Sequence, residues 1–493
     1  MKFLQKIITK IPVESIKPGI NKKEFFSSVL FLFVIYFLSI ISIIRANFTY
    51  IDDLRRCIDG YELGGAFSRH LSNILGYFIH AGGYIVDISP LPQLIACFFL
   101  ALSGFFLVKI ICNKTNYWLL IASLPIGLSP FFLECISYKF DAPYMALSIL
   151  ASVFPFVFIN KNKWIFAIVS IVSLLIMTMT YQAASGIFLM MAVYLFFVNF
   201  NYKNISIKNN LISLCISLLS YCIAIILYRY CFMEPVDFGY VSSETPKIGS
   251  LVPVFLTNLK IYATNVYKDF NITWKILLLT IFVIYYIKTI FLSKINKILS
   301  FFLTSIFLVL LFVLSFGLYL ILKDPFYGPR TMYGFGVFIA ILCVDIVFSL
   351  KKVFAIPVIA LIWCFFVFYF SYGNALADQK RYNDFRTELL LKDLSSLLPK
   401  KTDAKYSIKI VHSEGFSPTV EYLAKKFPIT KKIVPVNLKG GWPFGFVYII
   451  HYFKFNLTDG DISDETIETM PVVLDTYYHT IKYEDKQIAV ILK

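Results

Sequence analysis

The densest run of chemically capable side chains lies between residues 45 and 70. It reads Arg45-Ala-Asn-Phe-Thr-Tyr-Ile-Asp52-Asp53-Leu-Arg55-Arg56-Cys-Ile-Asp59-Gly60-Tyr-Glu62, with Ser68-Arg69-His70 downstream. Adjacent carboxylates suit a general base or a metal site, while arginine or a cation holds an anion. Two like charges in a partly desolvated cleft also raise one pKa toward a working value. The string fits equally well an interfacial helix capped by acids at its N-terminus. Three shorter strings carry related groups: Glu134-Cys-Ile-Ser-Tyr138-Lys139-Phe-Asp141-Ala-Pro143, Tyr181-Gln182, and Lys323-Asp324-Pro-Phe-Tyr327-Gly328-Pro329-Arg330. Each alone reads as a loop turn; together they would ring one opening with acids, arginine and glutamine. Gly328-Pro329 is a turn that would aim Arg330, and arginine is a natural partner for a lipid phosphate.

The elements that must position these residues are apolar. Of 493 residues, 58% are hydrophobic and 15% charged, against about 25% charged in an ordinary soluble domain. This composition excludes a soluble enzyme of this length, a disordered chain and a disulfide scaffold, and points to a polytopic membrane protein. Eleven runs are long enough to cross a bilayer: about 25–44, 92–112, 117–134, 143–160, 164–180, 182–200, 210–231, 273–292, 298–322, 333–350 and 353–373. The nine cysteines fall mostly inside apolar runs, show no metal-ligand spacing and read as small buried apolar side chains. His80, His412, His451 and His479 likewise read as structural.

Charge orients the runs. With the basic leader 1–24 in the cytoplasm as part of an uncleaved anchor, the inner segments carry 17 basic residues and two acids, Glu14 and Glu24. Lys288 is counted among those inner residues. The outer loops balance at 12 of each sign, so nearly all of the net charge of +16 is cytoplasmic and reports topology. The nucleic-acid reading of that charge falls away. Within the first outer loop, 45–91, residues 64–90 hold Arg69, His70, His80 and Asp87, too polar for a span, and read as helices on the membrane surface. Residues 252–270 read the same way. Only Asp345 sits clearly mid-span, which is thin for a transporter.

Residues 374–493 differ in kind, with 17 basic and 15 acidic residues. An amphipathic stretch (377–398) leads into a strand-like 406–412, a helix-like 417–427 and strand-like 431–438, 446–453 and 486–492. The expectation is a transmembrane domain over 25–373 and a small periplasmic α/β domain over 374–493, with the N-terminus cytoplasmic.

Taken in order along the spans, these strings resemble the membrane-embedded GT-C glycosyltransferases. More closely, the chain resembles the bacterial O-antigen glucosyltransferases of the serotype-converting type, the type II glucosyl transferase family. The resemblance rests on Tyr50-Ile-Asp52-Asp53-Leu-Arg55-Arg56, Gly60, Ser68-Arg69-His70, Phe140-Asp141-Ala-Pro143, Tyr181-Gln182 and the Arg330 loop, and covers most of residues 30–400.

It implies a fold of about 11 transmembrane helices in the bacterial inner membrane. It also implies an inverting transfer of a sugar, usually glucose, from an undecaprenyl-type polyprenyl phosphate donor to lipopolysaccharide O-antigen on the periplasmic face. Asp52 or Asp53 would be the base; Arg330, then Arg69, would hold the donor phosphate. Asp141, Gln182, Arg55 and Tyr181 would bind substrate, and a divalent cation, Mg or Mn, is a candidate cofactor. The partners would be the donor lipid, the O-antigen glycan and membrane lipid. Competing readings are an O-antigen polymerase or ligase, a lipid-linked sugar flippase, and a GT-C enzyme with another sugar or acceptor.

Overall fold

The computed structural model describes residues 21–61, 65–202, 206–234, 243–398, 406–442, 449 and 457–493. Lys2, Lys6, Lys10, Lys17, Glu62, Lys203 and His451 lie outside them, as does the expected strand 446–453 apart from Ile449. Two compact units divide the chain: Met1–Ile41, Leu63–Ala81 and Ile88–Phe370 form the first, and Ser42–Glu62, Gly82–Asp87 and Ser371–Lys493 the second.

Each of the eleven apolar runs is helical over most of its length. Among the described residues, eight helices are long and apolar enough to cross a membrane: Lys22–Ala46, Leu91–Cys112, Lys163–Thr180, Gln182–Tyr202, Ile207–Cys231, Ile272–Leu292, Lys297–Leu314 and Lys352–Leu397. Tyr117–Leu128 and Pro130–Ser137 make a ninth only if a 47° bend is counted as one span. Ala142–Phe158 and Gly334–Ser349 are apolar but shorter. By length and composition alone, eight of the eleven expected spans among the described residues meet the requirement, nine with the bent pair, while Ala142–Phe158 and Gly334–Ser349 fall short of it. Proline explains two of the shortfalls. Pro125 and Pro130 each lack an N–H and crowd the preceding turn, so the run breaks there, and Pro155 tightens the last turn before Phe158 into a 3-10 helix.

Small residues let the helices approach closely. A Cβ on Gly186 would lie 1.7 Å from the Leu314 carbonyl oxygen, and one on Gly317 (φ +53°) would lie 2.7 Å from the Gly186 nitrogen. One polar contact lies deep in this first unit. Lys288 Nζ stands 2.7 Å from Asp345 Oδ1, and both side chains are 1% exposed or less. This corrects the reading of Lys288 as an inner-loop lysine and of Asp345 as alone. A lone carboxylate inside an apolar bundle is costly, and Lys288 supplies its counter-charge. Where surface helices were expected, the chain is helical over His70–Ile79 and Leu251–Asp269, but residues 80–90 are not helical.

In the second unit, strands β1 (Tyr406–Val411), β2 (Leu457–Asp459), β3 (Val472–Asp475), β4 (His479–Glu484) and β5 (Gln487–Leu492) form one sheet in the order β2-β1-β5-β4-β3. β1 runs parallel to β2 and β5; β4 is antiparallel to β3 and β5. The β4–β5 turn is Asp485-Lys486, both at positive φ, as a two-residue hairpin of matching twist requires. The last span and the amphipathic stretch after it are one helix, Ile356–Leu397. Its Leu390, Leu391 and Leu394 share a core with Ile408, Ile481, Ile488 and Val490. Residues 431–438, expected as a strand, instead hold the end of a short helix, Thr430–Ile433, and an irregular segment. Pro435 cannot donate to a ladder, and the Ile433 carbonyl is taken by the Tyr50 and Tyr372 hydroxyls at 2.8 and 3.0 Å.

Of the nine cysteines, all free, Cys97, Cys112, Cys135 and Cys343 are buried as expected. Cys57, Cys215, Cys222 and Cys231 are exposed, a correction that follows for the last three from their place on a span with little protein around it.

Candidate functional site

In the first unit, the near-absence of a loop between Lys163–Thr180 and the helix that follows determines the local geometry. Tyr181 is extended, and Gln182 opens the next turn, Gln182–Ala184. Both side chains meet Arg69. Its Nε donates to Gln182 Oε1 at 3.1 Å, and its guanidinium carbon lies 4.3 Å from the Tyr181 ring centre and 4.9 Å from that of Phe67. Gln182 Nε2 donates in turn to the Phe67 carbonyl at 3.1 Å and to the Tyr228 hydroxyl at 2.8 Å. With both ends of its amide engaged, Gln182 holds Arg69 in one orientation.

Asp141 precedes the helix Ala142–Val153, where Pro143 is tolerated in the first turn. It lines one pocket with Phe67, Arg69, Ser72, Tyr144 and Tyr181. The pocket therefore gathers Arg69, Asp141, Tyr181 and, through Arg69, Gln182 from three separate parts of the sequence. Its space is about 20 Å³, room for one water rather than a sugar ring. Ser68, immediately before Arg69, sits at φ +56°. Its hydroxyl donates to the Glu234 carbonyl at 3.1 Å and accepts from the Glu234 N–H at 2.8 Å. A non-glycine residue in this region is held by its surroundings, as at many functional positions.

Arg330 belongs to the same unit, in the short helix Pro329–Thr331 that follows Gly328. Glu134 Oε2 accepts its backbone N–H at 2.8 Å, and Glu134 Oε1 lies 3.4 Å from its guanidinium. The guanidinium also donates to the Tyr138 hydroxyl and lies 4.5 Å from the Phe326 ring centre. Burial pushes the Tyr181 phenol well above its ordinary range, and the Arg330 and Arg69 charges oppose that shift.

Asp52, Asp53 and Arg55 belong to the second unit. Asp52 stands at the N-cap of helix Asp53–Asp59, which ends at Gly60 in the left-handed conformation (φ +64°) that glycine adopts most readily. Asp53 is fully buried, Asp52 is 9% exposed, and Arg56 on the same helix is buried. Ile51, just before the pair, is at φ +50°, unusual for a β-branched residue. Burial, then the Asp52 carboxylate, holds the Tyr61 phenol above its ordinary range. Arg55 is more exposed and pairs with Asp59 at 3.1 Å along the helix surface. Asp52 and Asp53 begin the helix, where Asp52 makes no side-chain cap hydrogen bond, and both are withdrawn from solvent.

Glu134, Phe67, Ser72 and Tyr228 were not given roles from sequence. Glu134 stood inside a string already singled out for its charge, so its type was the signal. Tyr228 lies in an apolar run and gave none. Among the described residues, no three Asp, Glu, His or Cys side chains come together to hold a metal ion.

A family model described as "Glucosyl transferase GtrII" matches residues 41–341, which include every one of these positions. A Salmonella phage P22 protein described as an uncharacterized 55.3 kDa protein in the gtrB 5′ region is 25% identical over 442 residues, covering 86% of this chain and 88% of that one. No solved structure matches the chain. With the matched segment holding the acidic pair, the arginines and the Tyr181-Gln182 junction together, the chain belongs to the GtrII glucosyl transferase family.

Proposed function

We propose that the protein transfers glucose from a polyprenyl phosphate donor to lipopolysaccharide O-antigen on the periplasmic face of the bacterial inner membrane. The observation that carries this reading is the clamped Arg69. An arginine fixed by Gln182 and by two aromatic rings, beside Asp141, suits an anionic donor whose sugar offers hydroxyls to a carboxylate. Membership in a glucosyl transferase family supports glycosyl transfer itself, and the multi-pass helices support a lipid-borne donor.

In this reading the acceptor hydroxyl attacks the anomeric carbon from the face opposite the phosphate. Asp53 or Asp52 takes the hydroxyl proton, the bond from the anomeric carbon to the phosphate oxygen breaks, and the configuration inverts. Arg69 and Arg330 neutralise the charge that develops on the departing phosphate. The narrow pocket must widen at the Phe67 side chain to admit a sugar ring while Arg69 stays clamped by Gln182 and Tyr181.

The topology proposed is eleven crossings, with the bent pair and the two shorter apolar helices each counted as one, and a periplasmic C-terminus. Surface polysaccharide from cells with and without the gene tests the reading. One added hexose per repeat unit supports it. A loss of polymer length would indicate a polymerase or ligase, and an unchanged glycan would count against transfer to this acceptor. A reporter fused after Lys493 should be active only outside the cytoplasm.

A further inference from the structure

A second cavity lies in the first unit, lined by two short connections between apolar helices and the helix ends beside them. Lys114 and Asn116 come from the link between Leu91–Cys112 and Tyr117–Leu128, and Trp118 and Leu119 from the first turn of the latter. Phe348 comes from the last turn of Gly334–Ser349, and Leu350 and Lys352 from the link between it and Ile356–Leu397. The space is about 200 Å³, several times the roughly 30 Å³ that one water occupies. Among the described residues lining it, two are cationic and none is acidic.

The chemistry around the cavity is that of a membrane interface. Lys114 Nζ lies 5.0 Å from the Phe348 ring centre, an ammonium held against an apolar wall. Tyr117, Trp118, Val353 and Ile356 beside it are 62, 46, 59 and 61% exposed, so aromatic and aliphatic side chains border two lysines. Tryptophan and tyrosine favour the head-group level of a bilayer, and lysines in a cleft between helix ends attract anionic head groups. A free phosphate ion would use the lysines but not the exposed apolar rim; an acyl-chain lipid would use both.

We propose that this cleft binds the phosphate head group of an anionic glycerophospholipid, with the acyl chains lying against Trp118 and Ile356. Lys114 and Lys352 engage the phosphodiester. The leaflet that supplies the lipid follows from the topology proposed above, in which both connections are cytoplasmic; the binding chemistry does not depend on it.

Native mass spectrometry of the full chain, released from micelles containing equal phosphatidylglycerol and phosphatidylcholine, tests the site. The expected result is one retained phosphatidylglycerol, favoured about tenfold over phosphatidylcholine. Lys114→Gln with Lys352→Gln should abolish that preference. Lys114→Arg with Lys352→Arg should keep it, which separates charge from folding. Lys163→Gln with Lys208→Gln, two exposed lysines remote in sequence from the cleft, should also keep it. Equal retention of both lipids, or an unchanged preference in the Gln pair, would overturn the proposal. Displacement of the lipid by inorganic phosphate would assign the site to a free anion instead. The readout is bound mass, so failure here leaves glycosyl transfer standing, and an inactive enzyme that retains the lipid leaves this site standing.

Discussion

One carboxylate, Glu134, grips Arg330 at two points: its backbone N–H at 2.8 Å and its guanidinium at 3.4 Å. The acid is 4% exposed and the arginine side chain 22%, so the pair is largely withdrawn from water. Such a contact sets both where the Arg330 main chain runs and how its charge is presented. Glu134→Ala should lose both contacts and leave a largely buried guanidinium without its counter-charge, at a cost of about 3 kcal/mol. Thermal unfolding in detergent should show the loss. Glu134→Gln keeps an acceptor for the N–H and should be milder. Equal melting temperatures for wild type and Glu134→Ala would refute the structural role.

Arg69 depends on shape as well as charge. Arg69→Lys retains a cation but cannot reproduce the Nε bond to Gln182 while stacked on Tyr181. We expect transfer to fall by about tenfold in Arg69→Lys, the equivalent of ~1.4 kcal/mol in the transition state. Gln182→Ala should show a smaller loss, because the aromatic stack remains. Rates measured at matched amounts of folded enzyme decide this. Full activity in Arg69→Lys would mean that charge alone suffices.

The Lys288–Asp345 pair should behave as a buried pair inside a membrane bundle. Asp345→Asn strands the lysine and should destabilise by about 3–5 kcal/mol, whereas replacing both by leucine and methionine should recover most of that loss. A melting series of the single and double variants distinguishes the two outcomes. If the double variant is as unstable as the single one, the pair is not acting as a unit.

In the second unit, pH dependence should centre on Glu414. Burial raises its carboxyl to about 8, although the Leu438 and Asn437 N–H groups and Arg386 oppose the shift. A folded-state pKa raised above the unfolded value of about 4.3 means that Glu414's contribution is fully present below that value. The contribution is lost as pH rises toward 8. Glu414→Gln stays neutral while keeping an acceptor for the Asn437 and Leu438 N–H groups, 3.0 and 2.9 Å from Oε1. Hydrogen exchange in β1 and β5 should be similar in wild type and variant near pH 4, and slower in the variant near pH 8.5. The reverse ordering at high pH would contradict the assignment.

The spans were legible because a bilayer demands long apolar runs, and each such run is helical here. The count was less legible. Pro125, Pro130 and Pro155 break or shorten two runs, and hydropathy averages over the break. In the second unit, β1, β5 and the helix Pro418–Lys426 followed from the residue pattern, but β2, β3 and β4 were missed. β3 has four residues, mostly exposed, so it shows no inward alternation to read. Residues 431–438 misled in the opposite sense, since their apolar content serves burial without a ladder.

At the site, residue type exposed Arg69, Asp141 and the Tyr181-Gln182 junction, and the fold brings them to one pocket. What sequence could not show is that Arg330 is already engaged by Glu134, or that Tyr228 anchors Gln182 from an apolar helix. Both are relations across more than 40 residues of chain, with no local spacing to betray them.

Transfer of labelled glucose from a synthetic polyprenyl phosphoglucose to O-antigen, by purified protein in liposomes, tests the central claim most directly. Wild type should transfer the label with inversion at the anomeric carbon. Asp52→Asn with Asp53→Asn should reduce the rate by at least about a hundredfold while the protein remains folded. Undiminished transfer by the double variant, or use of a nucleotide sugar in place of the lipid donor, would contradict it.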